Sequence, residues 1–484
     1  MMETKKVRDK AYIRSLDADR WLFYADLLVD KAHVLMLEEQ GILSREDAVA
    51  ILTCLTKIEE HGKAFIEDEL PSYEDVHTAI ESVLIKEIGE DRGGRMHTGR
   101  SRNDEVAACI RIALRDALLE LMSAVNELRS AIIEKATENV DTVMPGYTHL
   151  QHAQPTTFAH HFLAHVDAFA RDFSRLLSAY ERTNVSPLGA AAFASTGFPL
   201  DRAKTAESLG FDSVLENSMD AVSTRDFIIE AISCFSNLMT NQSRLAEELI
   251  LWSSAEFDFV RVPADYATGS SIMPQKRNPD YAELVRARAG AVYGCLMSVL
   301  SICKALPYSY NRDLQEVTPH LVSATNITTA SVSVMKSIVE ALELKKEEMA
   351  RKAQTGFTTA TELADTIVRE TGIAFRSAYK IVASLAEKGG AENVDMQSID
   401  DFAVRIVDKK LSDLGLTAEQ VNEAMDIASN IEKRGVKGGP AKKEVQRMLR
   451  VRKTDMARDE QTREAKAERV RSRVEALERC AVTR

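Results

Sequence analysis

The chain lacks the features that define whole classes of protein. Cysteine is sparse, with Cys54, Cys109, Cys234, Cys295, Cys303 and Cys480 the only six in 484 residues. None falls in a CxxC spacing, which excludes a disulfide framework and a thiolate zinc site and reads as a reduced, cytoplasmic protein. No run of about 18 apolar residues occurs, so no membrane span is expected. The charged opening MMETKKVRDKAY has no apolar stretch of the kind a secretory signal needs. Basic excess is also absent: a formal net charge of −12 argues against nucleic acid or a membrane surface as partner, since both demand clustered positive charge. Glycine and proline, 21 and 11 residues, are unevenly placed and leave 105–144, 156–186, 211–262 and 320–355 free of both.

What is present is ordinary for a soluble protein, 45% hydrophobic and 28% charged, in a chain long enough for two or three domains. Stretches without Gly or Pro predict long helices. In the first, Val106, Ile110, Leu114, Leu118, Leu121, Val125, Leu128 and Ile132 recur at steps of three and four and share one helical face. A helix filling that stretch would be about 60 Å long, a length that packs in bundles. Little of the chain alternates with period two. The expected fold is therefore all-α, in three helical domains: 1–90, a central long-helix bundle at 91–355, and 356–484. The last domain ends, after Gly438-Gly439-Pro440, in a heavily charged stretch expected as a solvated helix or a frayed tail.

Three polar clusters could carry chemistry. HTGRSRNDE, at 97–105, places Arg100, Ser101, Arg102 and Asn103 where the first long helix should begin. Helix N-termini bind carboxylates and arginine adds paired donors, although a capping turn would account for Ser101 or Asn103 alone. PGYTHLQHAQPTT, at 145–157, lies between two long helices and carries Thr148, His149 and His152. A histidine at a helix end can move a proton near neutral pH; a hydrogen-bonded structural role is the plainer reading, and it is the one taken for His160, His161 and His165. His161 and His165 have the spacing of metal ligands, but the glutamate of HExxH is missing and no third ligand suggests itself, so no metal is expected. GSSIMPQKRNPDYAE, at 269–283, is interrupted by Pro274 and Pro279, which predicts an irregular loop bearing Ser270, Lys276 and Asn278, with Glu283 opening the next helix. A flexible surface loop would not explain hydroxyl, cation and amide donors occurring together.

GSSIMPQKRNP resembles the GSSxMPxKxN signature of the fumarase, aspartase and argininosuccinate lyase superfamily. HTGRSRND, NVSPLGAAAFASTGFPLDR at 184–202, YTHLQHAQPTT, NSMDAVSTRDF at 217–227 and YNRDLQ at 310–315 are similar to the argininosuccinate lyase family within it, over roughly 15–451. The resemblance implies a carbon–nitrogen lyase of arginine biosynthesis that cleaves argininosuccinate to arginine and fumarate. A base removes the proton next to a carboxylate, charge collects on that carboxylate as an aci-form, and the C–N bond breaks. It implies that Ser270 and His149 handle the proton, with His149 paired to Glu283 and with either order open. Lys276 and Asn278 then meet the aci-carboxylate. Ser101, Arg102, Asn103 and Thr148 hold carboxylates, His77 lies near the substrate, and Ser15, Asp19, Tyr310 and Gln315 surround its arginine end. A free serine is a poor base, so Ser270 needs activation, by Lys276 and the loop backbone.

The resemblance further implies a homotetramer whose central bundle is shared and whose sites combine chains, with no cofactor. Three departures stand out: Thr318 replaces a lysine three residues after the YNxDxQ glutamine, the WGGRF element near the N-terminus is missing, and the segment after Val451 runs past the usual end. Two other readings compete. One is a sister lyase sharing the loop but not the leaving group; the other is a structural protein that has abandoned catalysis on this fold.

Overall fold

The computed structural model describes residues 10–483; the charged opening stretch 1–9, read above as no secretory signal, lies outside them. The fold is helical, as the spacing of glycine and proline requires. Helices α1 (Phe23–Glu39), α2 (Arg45–Ala64) and α3 (Val76–Ile88) form the N-terminal part. Helix α4 (Arg102–Thr137) follows, 36 residues and so about 54 Å long. Of the apolar face read from the sequence, Ile110, Leu114, Leu118, Leu121, Val125, Leu128 and Ile132 are all buried, and Val106 is partly so.

Helices α5 (Phe158–Thr183), α7 (Asp226–Ser253), α8 (Asp280–Cys303) and α9 (Val317–Glu340) are the other long helices of the central bundle, with short α6 (Ser218–Ser223) ahead of α7. Helix α4 packs on α5 and α9, and α7 lies against α5, α8 and α9, so the five enclose one apolar core. Helices α10 (Ala360–Thr371), α11 (Phe375–Lys388), α12 (Met396–Val407) and α13 (Ala418–Met425) surround a second, smaller core built on Leu363, Ile367, Ile381, Leu385 and Ile399.

Two local expectations need correction. The segment 143–157 is neither a helix end nor a simple connection. Strands β1 (Val143–Thr148) and β2 (Gln151–Thr157) form an antiparallel hairpin, pairing Val143 with Thr157 and Thr148 with Gln151, with a bulge between Pro145 and Tyr147. Gly146 permits the close approach there, since a Cβ on it would meet the Gln154 carbonyl oxygen at 2.5 Å. A hairpin broken by two prolines and a bulge presents no clean period-two pattern to read.

The charged C-terminal stretch is a helix, as one of its two readings had it, but a docked helix rather than a solvated one or a frayed tail. It forms one 42-residue helix, α14 (Lys442–Thr483), whose Val445, Met448, Leu449, Val470, Leu477 and Ala481 are buried. It docks along α4, α5, α2 and α1. Arg129 Nη1 donates to Asp459 Oδ2 at 2.8 Å, Asn126 Nδ2 to Glu460 Oε2 at 2.9 Å, and the buried Lys31 Nζ to Glu478 Oε2 at 2.6 Å and Glu59 Oε2 at 2.5 Å. Long charged side chains lay their stems on the core while their heads reach partners or solvent, which masks the docking face in a composition reading.

Candidate active site

Seven of the residues singled out from the sequence meet in one cavity of about 250 Å³: Ser15, Asp19, His77, Arg102, Asn103, Tyr310 and Gln315 line it, together with Thr318. Ser15 Oγ donates to Asp19 Oδ2 at 2.6 Å, which also accepts from Val76 N at 3.3 Å. Burial pushes the Asp19 carboxyl up to about 6 against the pull of nearby His77. Gln315 Nε2 donates to the Ile13 carbonyl at 3.3 Å.

Ser101 sits at the entrance to α4 as its N-cap. Its hydroxyl accepts from Asn103 N at 3.3 Å, and Asp104 Oδ1 accepts from Ser101 N at 3.1 Å, which closes a capping box. Asn103 Nδ2 donates to Ala192 O at 2.9 Å. Arg102 already holds protein carboxylates: Nη1 donates to both oxygens of Asp75 at 2.8 and 3.0 Å, and Nη2 to Glu81 Oε2 at 3.2 Å.

Behind this cavity His77 and Arg100 join a buried charge cluster whose acids, Asp26, Asp30 and Glu105, sequence reasoning missed. Asp26 Oδ1 is 2.8 Å from His77 Nδ1, and Glu105 Oε1 is 3.9 Å away. Arg100 Nη1 donates to Asp30 Oδ1 at 2.6 Å, and its Nη2 lies 3.1 Å from Glu105 Oε1. Burial alone would strip the proton from His77, but the Asp26 carboxylate and then Glu105 override it and push the imidazole up to about 10. Burial raises the carboxyls of Asp30 and Glu105, the opposite of the Asp26 shift. Three carboxyls face two cations, and the surplus acid together with burial favours the protonated forms of Asp30 and Glu105. The available signal was Asp26 and Asp30, four apart in the otherwise apolar α1 sequence, because acids on a buried face must have partners.

These shifts give stability a definite pH dependence. His77, held above its ordinary 6.5, contributes stability that is complete below that value and is lost as the pH climbs toward about 10; the raised Asp30 and Glu105 act in the same direction. Urea midpoints should therefore fall between about pH 7 and pH 9.5, by of order 3 kcal/mol in unfolding free energy. A flat profile would mean that His77 is neutral in the folded chain.

The remaining expected residues lie elsewhere. Thr148 and His149 are exposed at the tip of the β1–β2 hairpin, where His149 and Leu150 both adopt φ of 56°. Non-glycine residues seldom take that conformation, so the turn carries local backbone strain. His149 lines a second cavity of about 940 Å³. In it His161 Nε2 and His165 Nε2 both bond Glu248 Oε2, at 2.8 and 2.7 Å. Glu248 of α7 is thus the third partner that spacing along α5 did not suggest. Burial opposes its charge, yet the two imidazole donors hold its carboxyl well below the usual range.

Within the 269–283 segment, residues 270–276 form an irregular loop, as expected, closed at its base by a two-residue strand pair and followed by α8. Strands β3 (Thr268–Gly269) and β4 (Arg277–Asn278) pair, and the Thr268 hydroxyl donates to Asp280. At the start of this loop, Ser270 Oγ accepts from Ile272 N at 3.3 Å and Met273 N at 3.1 Å. Two backbone donors on a hydroxyl oxygen favour its ionised form. The Lys276 ammonium is exposed and makes no contact with Ser270 among the described residues, so only the backbone half of the expected activation is present within one chain. Glu283 is exposed in the first turn of α8 and makes no ion pair with His149 among the described residues. One chain therefore presents three separate patches: the α1–α4 cavity, the His149 hairpin and the Ser270 hairpin.

Comparison with known proteins bears on what these patches do. A family model described as lyase matches residues 4–294, and one described as argininosuccinate lyase C-terminal matches residues 357–432. The chain is 53% identical over 445 residues to an argininosuccinate lyase of Methanosarcina barkeri, covering 92% of this chain and 90% of that one. It is 45% identical over 466 residues to an argininosuccinate lyase of Methanocaldococcus jannaschii, covering 96% and 95%. A solved structure of EDDS lyase in complex with formate superposes with a TM-score of 0.87 at 33% identity, covering 98% of this chain and 93% of that chain. Class II fumarase from Schistosoma mansoni shares the fold, with a TM-score of 0.71 at 17% identity over 84% and 90%. Identity at half of all positions, sustained across nearly the full length of both partners, places the chain in the argininosuccinate lyase family.

Proposed function

We propose that the chain cleaves argininosuccinate by the proton shuttle Ser270–His149, in a cytoplasmic homotetramer whose sites draw residues from more than one subunit. The observation that carries the shuttle is Ser270 Oγ, held by two backbone N–H groups where the loop leaves its short strand pair. One of the pair takes the proton from the carbon next to the carboxylate, and the other gives a proton to the departing nitrogen. Lys276 and Asn278 lie on the same hairpin, where they meet charge as it grows on the carboxylate; a preorganised donor of this kind is worth about 100-fold or more in rate. Elimination of this type needs only acid, base and an electrostatic pocket. Ser15, Asp19, His77, Ser101, Arg102, Asn103, Thr148, Tyr310 and Gln315 remain the proposed substrate contacts, and Glu283 the proposed partner of His149 across subunits.

Assembly is supported by α8. Tyr281 and Leu284 at its start and Tyr293, Met297 and Leu300 in its second half are 39%, 50%, 42%, 64% and 42% exposed and form two apolar patches on different sides of it. By length and composition α8 could cross a membrane, but Arg286 and Arg288 interrupt it and its other side is packed on α7 and α9. Exposed apolar patches on two sides of one bundle helix call for protein partners, and copies of the same bundle helix would supply them. The deciding experiment follows fumarate by its ultraviolet absorbance when purified protein meets argininosuccinate, adenylosuccinate, malate or aspartate. Release from argininosuccinate alone is expected; release only from another substrate would overturn the reading. Leu284→Glu combined with Leu300→Glu should lower the mass in light scattering and abolish turnover together.

A further inference from the structure

Three arginines line the α1–α4 cavity, and they are not alike. Arg102 is bound to Asp75 and Glu81. Arg312 Nη2 donates to Glu74 Oε1 at 2.6 Å. Among the described residues Arg225, between α6 and α7, makes no ion pair with a carboxylate: Nη1 donates to the carbonyls of Val222 at 3.3 Å and Thr224 at 2.8 Å, and Nε has no hydrogen-bond partner. It is only 3% exposed. Burial draws the guanidinium down to about 10, with Tyr310 the first group acting the other way, so it stays cationic at neutral pH.

A buried cation without a counter-ion is costly, and the cost is relieved when an anion enters. The cavity wall beside it carries Thr318, 6% exposed, at the position where the resemblance leads one to expect a lysine. Arg225 shares that wall with Tyr310 and Gln315, the residues proposed for the arginine end of the substrate.

Resting on the proposed activity, the geometry points to Arg225 as the residue that binds the α-carboxylate on the arginine unit of argininosuccinate, supplying the charge that Thr318 cannot. The guanidinium edge left free, Nε and Nη2, is the paired fork that suits a carboxylate. Arg225 touches no reacting bond, so its loss should raise KM far more than it lowers kcat.

The test compares argininosuccinate with the analogue whose arginine-unit carboxylate is a primary amide. The wild-type protein should prefer the acid by about 10- to 100-fold in kcat/KM, the range for a hydrogen bond between charged groups. Arg225→Met should erase that preference while retaining helical circular dichroism, and adding Thr318→Lys to it should restore most of the preference. A purely structural Arg225 would lower both substrates equally, and a preference unchanged in a folded Arg225→Met protein would overturn the inference. Should that variant not fold, Arg225→Lys carries the test: an intermediate preference supports the inference and an unchanged one refutes it. Wild-type protein inert toward both compounds would instead overturn the lyase reading on which this rests.

Discussion

Ser270→Ala and His149→Asn are each expected to lose roughly a thousandfold or more in turnover of argininosuccinate while keeping fold and assembly, because each removes one of two proton carriers. Combining the two within one chain should cost little beyond either alone, since partners in one proton relay fail together. The sharper result comes from mixing. The two hairpins lie apart within a chain, so a site that needs both must draw them from different protomers. Subunits carrying Ser270→Ala, dissociated and reassembled with subunits carrying His149→Asn, should regain measurable activity, because some sites receive an intact residue from each parent. Mixtures that stay inactive would place both residues of each site on one chain and overturn the shared-site proposal.

The second large effect concerns stability. Arg100 is the counter-charge for Asp30 and Glu105, all three buried. Arg100→Met should cost about 3–5 kcal/mol, the range for leaving a buried charge without its partner. Urea denaturation followed by circular dichroism measures it, and Arg100→Met with Asp30→Asn should recover part of the loss. An Arg100→Met protein as stable as the wild type would show that the cluster relaxes by taking up protons. Asp26 Oδ2 and Glu105 Oε2 already lack hydrogen bonds, so the cluster has little slack from which to rebuild.

How much of this could be read in advance depended on the range of the interaction. The long helices and the buried face of α4 follow from local rules, namely spacing, an N-cap and missing helix breakers, and all of these are written within a few turns. The Ser270 loop was visible because hydroxyl, cation and amide cluster within a dozen residues. The cavity residues from Ser15 to Gln315 came from resemblance, since nothing local links Ser15 to Tyr310. Glu248 between His161 and His165, and Arg225 beside Thr318, are pairings across helices, which no periodicity along one element reveals. The His149 hairpin escaped because its strain, its bulge and its prolines hide the strand pattern. The docking of α14, which had been expected as a solvated helix or a frayed tail, escaped because its arginines and glutamates dominate its composition.

That last helix also orders events in time. Strands and helices up to α9 leave the ribosome long before α14 does, yet Lys31 in α1 and Arg129 in α4 reach for Glu478 and Asp459. At about 5–20 residues per second, the bundle must wait many seconds with part of its surface bare. Newly made chains are therefore most in need of a chaperone in the interval just before α14 emerges, and shortening that helix would prolong the exposure for the life of the protein.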